Sequence, residues 1–556
     1  MPFFDSRAAL YALLMVVTLV VLAGHHAVPP MDRDESRFAQ ASRQMQQTGD
    51  YVTVRFQDEL RAKKPAGIYW LQSGFASLMG ADDIAAYRFV NILALLAAIF
   101  MLYHMGLRLY EPRAALAASA LLASSFIVLG EAHLAKTDTV LMMLALGQQW
   151  ALMGIYIRGE TPPDGHNGRW LWFWLAMAAG IMVKGPILPA LAVITVLTLC
   201  VWDRRVKWVS GLRLGYGILL VLALCLPWAI MVSTATDGAF LNIAVKGDFL
   251  AKVQSGQESH GAPPGSYVLL LGLLIWPATP LLVTVFSASR SILSVPAIRF
   301  ILAWMIPFWI MLELIPTKLP HYILPILPAL MLLLGGMVVP SGDARRPGLW
   351  RGRIGLALRY MSVSFGLGFA AMAIWGAMTF GGDGGRTAML WALLMPLLGT
   401  AALWFGHQWI RKRLWTPFFA FVVAALLLHM TFFSGVVPAL SRLHVSRAIA
   451  SHIEMLDQTP TAMAAAGYHE PSLVFHLGRD LLLVDGREAA LFLVEAPGGL
   501  AIIEQRQNAD FIAAAEALDL RLEAPVQIEG YNMSKGQEVK INLYRAETFD
   551  AKAGKE

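Results

Sequence analysis

The sequence predicts a polytopic α-helical membrane protein with a small α/β domain at its C-terminal end. Of its 556 residues, 57% are hydrophobic and 15% are charged, and the mean hydropathy is +0.56. This composition excludes an ordinary soluble enzyme and is typical of chains that cross a bilayer many times. A span needs roughly 20 apolar residues, and about 13 stretches approach that length. The predicted spans lie near 9–27, 85–107, 114–131, 139–157, 170–184, 186–202, 213–232, 266–286, 298–316, 321–339, 358–379, 387–407 and 415–437.

The basic residues predict how these spans are oriented. Net charge is +6, and much of it lies in short loops that read "RLYEPR", "WDRRVKW", "SGDARRPGLWRGR" and "WIRKRLW". Arg-rich short loops remain in the cytoplasm, so their position favours membrane orientation over nucleic-acid binding. The N-terminus is then inside, and the loops 28–84 and 233–265 and the C-terminal tail are outside. The first apolar run is long and has little positive charge before it, so it is predicted to be an anchor rather than a signal peptide.

Cysteines and common motifs exclude several other classes. Cys200 and Cys225 both lie inside apolar segments, so a disulfide framework is not expected. The sequence has no GxGxxG, Walker, CxxC or HExxH motif, which weighs against nucleotide binding and against an ordinary zinc protease.

The last part of the chain changes character after Pro438. "PSLVFHLG", "DLLLVD" and "GLAIIEQ" are short strand candidates, and "NADFIAAAEALDLRLE" has the apolar spacing of a helix. The predicted organisation is therefore a membrane domain over 1–440 and a soluble α/β domain over 441–556, on the outer side.

An acid-and-base segment, "MDRDESRFAQASRQMQQTGDYV", follows the first span. Its spacing predicts a short helix from Arg33 to Gln47 on the membrane surface. Asp34, Arg37 and Phe38 fall on one side of that helix, because residues three and four apart are neighbours. The alternative for this pattern is a solvated face with ordinary surface ion pairs.

Other charges lie at span ends on the same side. Asp138 is at the start of a span in "EAHLAKTDTVLMM", where a carboxylate is costly unless it is used or paired. A simple Lys136–Asp138 pair is the alternative. Lys63, Lys64 and Lys318 are cations on the face that should contain few of them, so they predict either interface anchors or a phosphate pocket at headgroup level.

Five motifs in this order resemble the GT-C glycosyltransferases of glycosyltransferase family 39, the group that includes dolichyl-phosphate-mannose-protein mannosyltransferases. They are "DESRFAQASRQM…TGDYV", "KKPAGIYWLQ", "AKTDTVLMM", "VKGPI" and "TKLPHYILPILPAL". The similarity extends to the branch of lipid A aminoarabinose transferases and rhizobial core sugar transferases. It implies a GT-C fold in a bacterial inner membrane. It also implies that a sugar passes from a polyprenyl-phosphate carrier to lipid A or lipopolysaccharide core at the periplasmic face.

The resemblance also assigns roles to residues. Asp34 matches the family's catalytic aspartate in an Asp-Glu-x-Arg motif, Arg37 matches that motif's arginine, and Asp138 matches the second aspartate. Lys64 and Tyr322 match residues near the carrier phosphate. The remaining candidates are Lys252 and Lys318 for the phosphate, and Glu35, Lys63 and His260 as supporting residues.

One departure concerns metal. In the aminoarabinose branch a glutamate precedes the Lys-Pro pair and, with a histidine from the large loop, can hold a divalent metal. Here Lys63 and Asp248 stand at those positions, so no metal site and no required cofactor are predicted. The expected partners are the lipid-linked sugar, a glycolipid or secreted-protein acceptor, and membrane lipid, with no nucleic acid.

The residue types suit sugar transfer. Polyprenyl phosphate is a good leaving group, so cations that stabilise its charge are needed more than a strong acid. Asp34 could accept the acceptor's proton or stabilise the anomeric carbon, and a single displacement would invert that centre. The alternatives are protein O-glycosylation and, from a different class, a transporter or lipid flippase. A transporter would place ionisable groups within spans and show related halves, yet Glu313 is a single such candidate.

Overall fold

A computed structural model describes residues 7–158, 168–244, 261–286, 293–338, 352–412 and 415–547. Helices dominate up to residue 430, and short 3₁₀ turns join several of them. These helices are α1 Arg7–His25, α2 Asp34–Thr48, α3 Gly67–Met79, α4 Ile84–Leu109, α5 Pro112–Ser124, α6 Phe126–Ala132, α7 Asp138–Arg158, α8 Arg169–Lys184, α9 Ile187–Asp203, α10 Leu214–Ala235, α11 Ala239–Asn242, α12 Ser266–Leu274, α13 Leu282–Phe286, α14 Pro296–Leu314, α15 Leu327–Val338, α16 Arg353–Phe380, α17 Gly385–Lys412 and α18 Trp415–Met430.

Every predicted span contains helix. In the described ranges, eight helices are long and apolar enough to cross a membrane, and counting the bent pair α5–α6 as one span raises this to nine. Shorter apolar helices such as α9 come in addition. Prolines and glycines divide some of the predicted stretches, and 266–286, for example, is divided between α12 and α13. The count of about 13 spans stays a prediction. The chain is a multi-pass membrane protein by the length and composition of its helices.

The membrane part has a buried centre and an exposed rim. One large apolar cluster joins α1, α4, α5, α7, α14 and α15. In contrast, only 11% of the span that includes α10 is buried, and 28% of the spans that include α16 and α17. Exposed apolar helices of this kind face lipid in a bilayer. Charged ends of several buried helices meet at one end of the bundle, which is where the site forms.

The helix predicted over Arg33 to Gln47 is confirmed, and its position on the membrane surface stays a prediction. It begins at Asp34 and ends at Thr48, where Gly49 adopts φ 71° and donates its N–H to the Met45 carbonyl. Such a left-handed glycine is a common helix stop. The helix packs on α3, and the Ser42 hydroxyl donates to the Gln72 amide oxygen at 2.8 Å. A two-stranded hairpin, β1 Arg55–Phe56 with β2 Glu59–Leu60, lies between these helices in the chain.

The C-terminal domain is α/β, as predicted. Its five strands are ordered β4-β3-β5-β7-β6, with parallel pairing around β3 and antiparallel pairing at β7. "DLLLVD", "GLAIIEQ" and the helix "NADFIAAAEALDLRLE" were predicted correctly, but "PSLVFHLG" is a helix. Pro471 suits a first helical turn, and short apolar runs are ambiguous between helix and strand. The elements are β3 Met463–Ala466, β4 Leu482–Val484, β5 Leu500–Glu504, β6 Val526–Asn532, β7 Gln537–Tyr544, and α19 Val445–Glu454, α20 Pro471–Leu477, α21 Gly486–Glu495 and α22 Asn508–Ala517.

Candidate active site

A small polar cavity of about 80 Å³ lies where the ends of several buried helices meet α2. We refer to it as the basic cavity, because five side-chain cations and two carboxylates line it. Such an excess of positive charge favours an anionic ligand. Its lining is Asp34, Phe38, Arg61, Lys63, Lys64, Lys136, Thr137, Asp138, Lys184, Thr317, Leu319, His321 and Tyr322.

A second cavity of about 620 Å³ adjoins the basic cavity. We refer to it as the apolar cavity, since most of its other walls are aliphatic or aromatic side chains of α8, α10 and α14. Met182, Trp228 and Phe308 are among them. The two cavities share their polar boundary, which consists of Lys63, Lys64, Asp138, Lys184, His321 and Tyr322. Together they offer a charged end and a long apolar end to one ligand.

Asp34 is exposed at the first turn of α2 and faces the basic cavity. The protein atoms around the mouth of the cavity partly desolvate its carboxyl, which by itself raises the pKa, but Arg61, Lys136 and Lys64 together hold that pKa below its usual range. Asp34 is therefore a carboxylate at neutral pH and can accept a proton or face a developing positive charge.

Arg61 is fixed in place by its neighbours. Its Nε donates to the Tyr69 hydroxyl at 3.1 Å, and its guanidinium lies 4.9 Å from the centre of the Phe38 ring. An arginine stacked on an aromatic ring and tied by a hydrogen bond is a preorganised positive charge.

Asp138 belongs to a buried ionic network. The Lys184 ammonium donates to its carboxylate, and His321 Nε2 lies 3.8 Å from it. On the other side of His321, Glu131 lies 3.6 Å from Nδ1 and pairs with Lys136 at 2.9 Å. Burial lowers the pKa of the Lys136 ammonium, but Glu131 and Asp138 more than offset this and raise it. Asp138 is thus held by partners, which suits an anchoring role better than that of a free base.

Glu131, Asp138 and His321 also have the spacing of metal ligands, since one ligand atom of each lies within 4.8 Å of the others. Both carboxylates, however, already pair with an ammonium group, Glu131 with Lys136 and Asp138 with Lys184. A divalent ion would have to displace these lysines, so the donor set does not fit a metal well. The absence of a metal requirement stays a prediction.

Five of the residues predicted from the sequence meet in the basic cavity. They are Asp34, Lys63, Lys64, Asp138 and Tyr322. The Tyr322 ring centre lies 5.1 Å from the Lys184 ammonium. Lys252 and His260, like Asp248, lie outside the described residues.

Three predicted residues do not line the cavity. The Lys318 ammonium donates to the carbonyls of Ala262 at 3.0 Å and Ile315 at 2.7 Å, because the chain turns it toward backbone rather than toward the ligand space. Arg37 is half-buried and acts electrostatically on Asp32. Glu35 points into the protein.

Glu35 is a structural residue instead. It is 1% exposed, and its two oxygens accept from Arg88 Nε and Nη2, both at 2.8 Å. It also accepts the N–H of Ala135 at 2.8 Å, which ties α2 to the turn before Asp138.

Arg61, Lys184 and His321 are the cavity residues that sequence reasoning missed or interpreted otherwise. Lys184 stands in the "VKGPI" motif, where a lysine at a span end can also serve as an ordinary interface anchor. Arg61 precedes the Lys-Lys-Pro motif by two positions. His321 stands inside the "TKLPHY" motif itself, where its position next to Tyr322 was the available signal.

Part of this chain is similar to known glycosyltransferases. A family model described as dolichyl-phosphate-mannose-protein mannosyltransferase matches residues 63–231. The matched segment contains Lys63, Lys64, Asp138 and Lys184, and thus a large share of the polar boundary between the two cavities.

Curated relatives are undecaprenyl phosphate-alpha-4-amino-4-deoxy-L-arabinose arabinosyl transferases. The one from Pseudomonas paraeruginosa is 27% identical over 345 residues, which is 60% of this chain and 60% of the relative. The one from Yersinia pestis is 27% identical over 59% of each chain. The chain thus matches about three fifths of the length of these relatives. The crystal structure of ArnT from Cupriavidus metallidurans bound to undecaprenyl phosphate has a TM-score of 0.76 and 18% identity, with 97% and 98% of the two chains covered. The chain therefore has the GT-C fold of that protein.

Proposed function

We propose that this protein is a glycosyltransferase that moves one sugar from a polyprenyl-phosphate carrier to lipid A or lipopolysaccharide core. The observation that supports it most is the pair of joined cavities. A lipid-linked sugar phosphate has one apolar tail, one anionic phosphate and one polar sugar. The apolar cavity of about 620 Å³ suits the tail, and the basic cavity with its five cations suits the phosphate.

The chemistry follows from the side chains in the basic cavity. Lys64, Arg61 and Lys136 would stabilise the negative charge that gathers on the departing phosphate. Tyr322 is placed to donate a hydrogen bond to the same group. Asp34, which stays ionised among these cations, would accept the proton of the attacking hydroxyl or stabilise the anomeric carbon. A single displacement with one carboxylate inverts the anomeric centre.

The reaction is proposed for the periplasmic face of the bacterial inner membrane. The Arg-rich loops that predict the cytoplasmic side connect the opposite ends of the helices from those that carry Asp34 and Asp138. The C-terminal domain contacts α2 and shares its side.

The names of the relatives specify a donor, undecaprenyl phosphate-linked aminoarabinose, and no acceptor. The lipid acceptor is proposed from the resemblance of the sequence motifs to lipid A aminoarabinose transferases, with a protein acceptor as the alternative. The residue that most favoured a transporter, Glu313, has a structural role. Glu313 lies at the end of α14, where it accepts the N–H groups of Gly265 at 2.8 Å and Val268 at 3.2 Å. It thus binds the first turn of α12 rather than a transported ion.

The test is mass spectrometry of outer-membrane glycolipids and periplasmic glycoproteins from cells that lack the gene and cells in which it is restored. The proposal predicts one sugar that is lost from the glycolipid and regained on restoration. The stereochemistry of the new bond, read by NMR, should be inverted relative to the donor.

Two other outcomes have clear meanings. Altered glycoproteins with an unchanged glycolipid would replace the lipid acceptor by a protein acceptor. No change in either class would contradict sugar transfer, and retained stereochemistry would contradict the single displacement.

A further inference from the structure

The turn that leads into Asp34 is strained. Arg33 has φ 65° and ψ −108°, a backbone conformation that residues with a side chain rarely adopt. Since Arg33 directly precedes Asp34, its backbone sets the direction in which the first turn of α2 begins. Strain of this kind persists only where surrounding contacts hold it.

The contact that holds Arg33 comes from the C-terminal domain. Its Nη2 donates to the carbonyl oxygen of Ser534, which is 501 residues further along the chain. Ser534 lies in the turn between β6 and β7, and that turn is itself tied. The Lys535 N–H donates to Asn532 Oδ1 at 3.0 Å, and the Gly536 N–H donates to the Asn532 carbonyl at 2.8 Å. The acceptor is therefore preorganised.

Two further contacts attach α2 and the residues before it to the same domain. The Ser472 N–H, in the first turn of α20, donates to Asp32 Oδ1 at 3.2 Å. Toward the other end of α2, Arg43 Nη1 donates to the Phe475 carbonyl at 2.9 Å. The Phe475 ring is 2% exposed and lies 5.8 Å from the Tyr87 ring of α4.

The domain is also fixed to the membrane helices at a separate place. The Ser441 hydroxyl donates to the Gly381 carbonyl at 2.7 Å, and the rings of Phe380 and Tyr531 lie 4.9 Å apart. With this second attachment, the domain can hold α2 against the strain at Arg33 rather than move with it.

We propose that the C-terminal domain positions the sugar-transfer site, and that Arg33 is the positioning residue through which it acts. The bond to the Ser534 carbonyl holds the strained turn that directs Asp34 into the basic cavity. This inference rests on the proposed function and gives the C-terminal domain a role within it. Arg33 itself is not among the residues that line the basic cavity.

The test compares variants of the purified full-length chain, with undecaprenyl-phosphate aminoarabinose as donor and lipid A as acceptor. Arg33→Ala should lower kcat about tenfold to 100-fold, because small displacements of a reacting group have effects of that size. The KM for the donor should change less than about twofold, since the phosphate and tail contacts remain. Arg33→Lys keeps a donor for the carbonyl and should recover most of kcat.

Arg33→Gly separates the contact from the backbone conformation. Glycine adopts φ 65° without strain but cannot reach Ser534. The proposal predicts that it retains more kcat than Arg33→Ala, because glycine needs no contact to hold this conformation, and equal impairment of the two variants would overturn the role of the strained turn. Two controls should behave as wild type: Ser534→Ala keeps the carbonyl acceptor, and Lys540→Ala removes an exposed cation of the same hairpin.

Hydrogen–deuterium exchange supplies a readout that does not depend on activity. Arg33→Ala should speed exchange of the amides at 34–38 while melting temperature stays near that of wild type. Unchanged exchange would overturn the positioning role. If the wild-type protein transferred no sugar at all, the proposed function would fail, and the exchange result would then decide the positioning role by itself.

Discussion

Asp34 and Glu35 are neighbours on the same helix, yet they occupy opposite kinds of environment. Glu35 is 1% exposed and accepts two hydrogen bonds from Arg88. Asp34 is exposed beside the basic cavity and interacts electrostatically with several cations that line it. Successive helical residues point about 100° apart, which is enough to direct one carboxylate into the protein and the other toward ligand. The difference teaches that a buried, closely paired carboxylate builds the scaffold, while an exposed carboxylate surrounded by several cations is available for chemistry.

The same comparison applies to two lysines. Lys64 lines both cavities, whereas the Lys318 ammonium donates hydrogen bonds to two backbone carbonyls and does not line the basic cavity. Both were predicted to bind phosphate because both stand near span ends on the outer side. The two lysines differ in the groups that surround them in the folded protein, which the sequence pattern does not reveal.

The largest expected effect comes from breaking the scaffold pair. Arg88→Ala would leave the buried Glu35 carboxylate without its partner, and the loss of one member of a buried pair costs about 3–5 kcal/mol of stability. Thermal unfolding in detergent should show a large fall in melting temperature and poor yield. The double variant Arg88→Met with Glu35→Gln removes both charges and should recover part of the loss. A normal melting temperature for Arg88→Ala would contradict the structural role of the pair.

A smaller effect should separate the two lysines. Lys64→Gln removes a cation from the phosphate end and should raise the donor KM about tenfold, which corresponds to one lost charge-assisted contact. Added salt should narrow the difference from wild type. Lys318→Gln is the matched control, and it should change melting temperature more than donor KM. An equal rise of the donor KM in both variants would contradict the claim that Lys64, and not Lys318, binds the phosphate.

The smallest effect concerns pH at the contact between Asp32 and the C-terminal domain. Burial raises the pKa of Asp32 from 3.8 to about 6, so the folded protein binds this proton more tightly than the unfolded chain. Stability from this group is therefore gained as pH falls through about 6 and is lost as pH rises. Asp32→Asn should abolish that gain, and the melting-temperature difference between the two proteins should change by no more than about 4 °C between pH 8 and 5.

The comparison with Asp32→Asn is needed because other groups titrate there. Burial lowers the pKa of His476 to about 4 and also lowers that of His444, which opposes the trend of Asp32. A difference between the two proteins that does not vary with pH would contradict the assignment. The charged and titratable groups facing Asp32 are Glu470, Arg37, Arg447, His444 and His476.

The parts of the fold that follow from local pattern were predictable. The helix at Asp34–Thr48 follows from spacing and a glycine stop, and the strands at Leu482–Val484 and Leu500–Glu504 follow from short apolar runs bounded by turns. The breaks within apolar stretches were not predictable from apolar length, since prolines divide stretches such as 266–286 into shorter helices.

Part of the site was also predictable, namely the residues that stand in sequence motifs. Asp34, Lys64, Asp138 and Tyr322 were found through motifs. Arg61 enters the cavity through tertiary packing that no local pattern encodes, and the only local signal for His321 was its place next to Tyr322. Conversely, Lys318 and Glu35 carry suitable charges and yet face elsewhere, because side-chain direction depends on the neighbours each segment meets in space.

The most direct test of the account is the activity of Asp34→Asn, measured with purified protein, lipid-linked sugar and lipid A. The exposed, nearly isosteric change should leave melting temperature unchanged. Donor binding should stay equal or become slightly tighter, since one anion leaves a cationic cavity. Transfer should fall by about 10²- to 10⁴-fold, the usual contribution of a general base. Transfer near the wild-type rate, with donor binding intact, would contradict the claim that Asp34 carries the chemistry and Glu35 the scaffold.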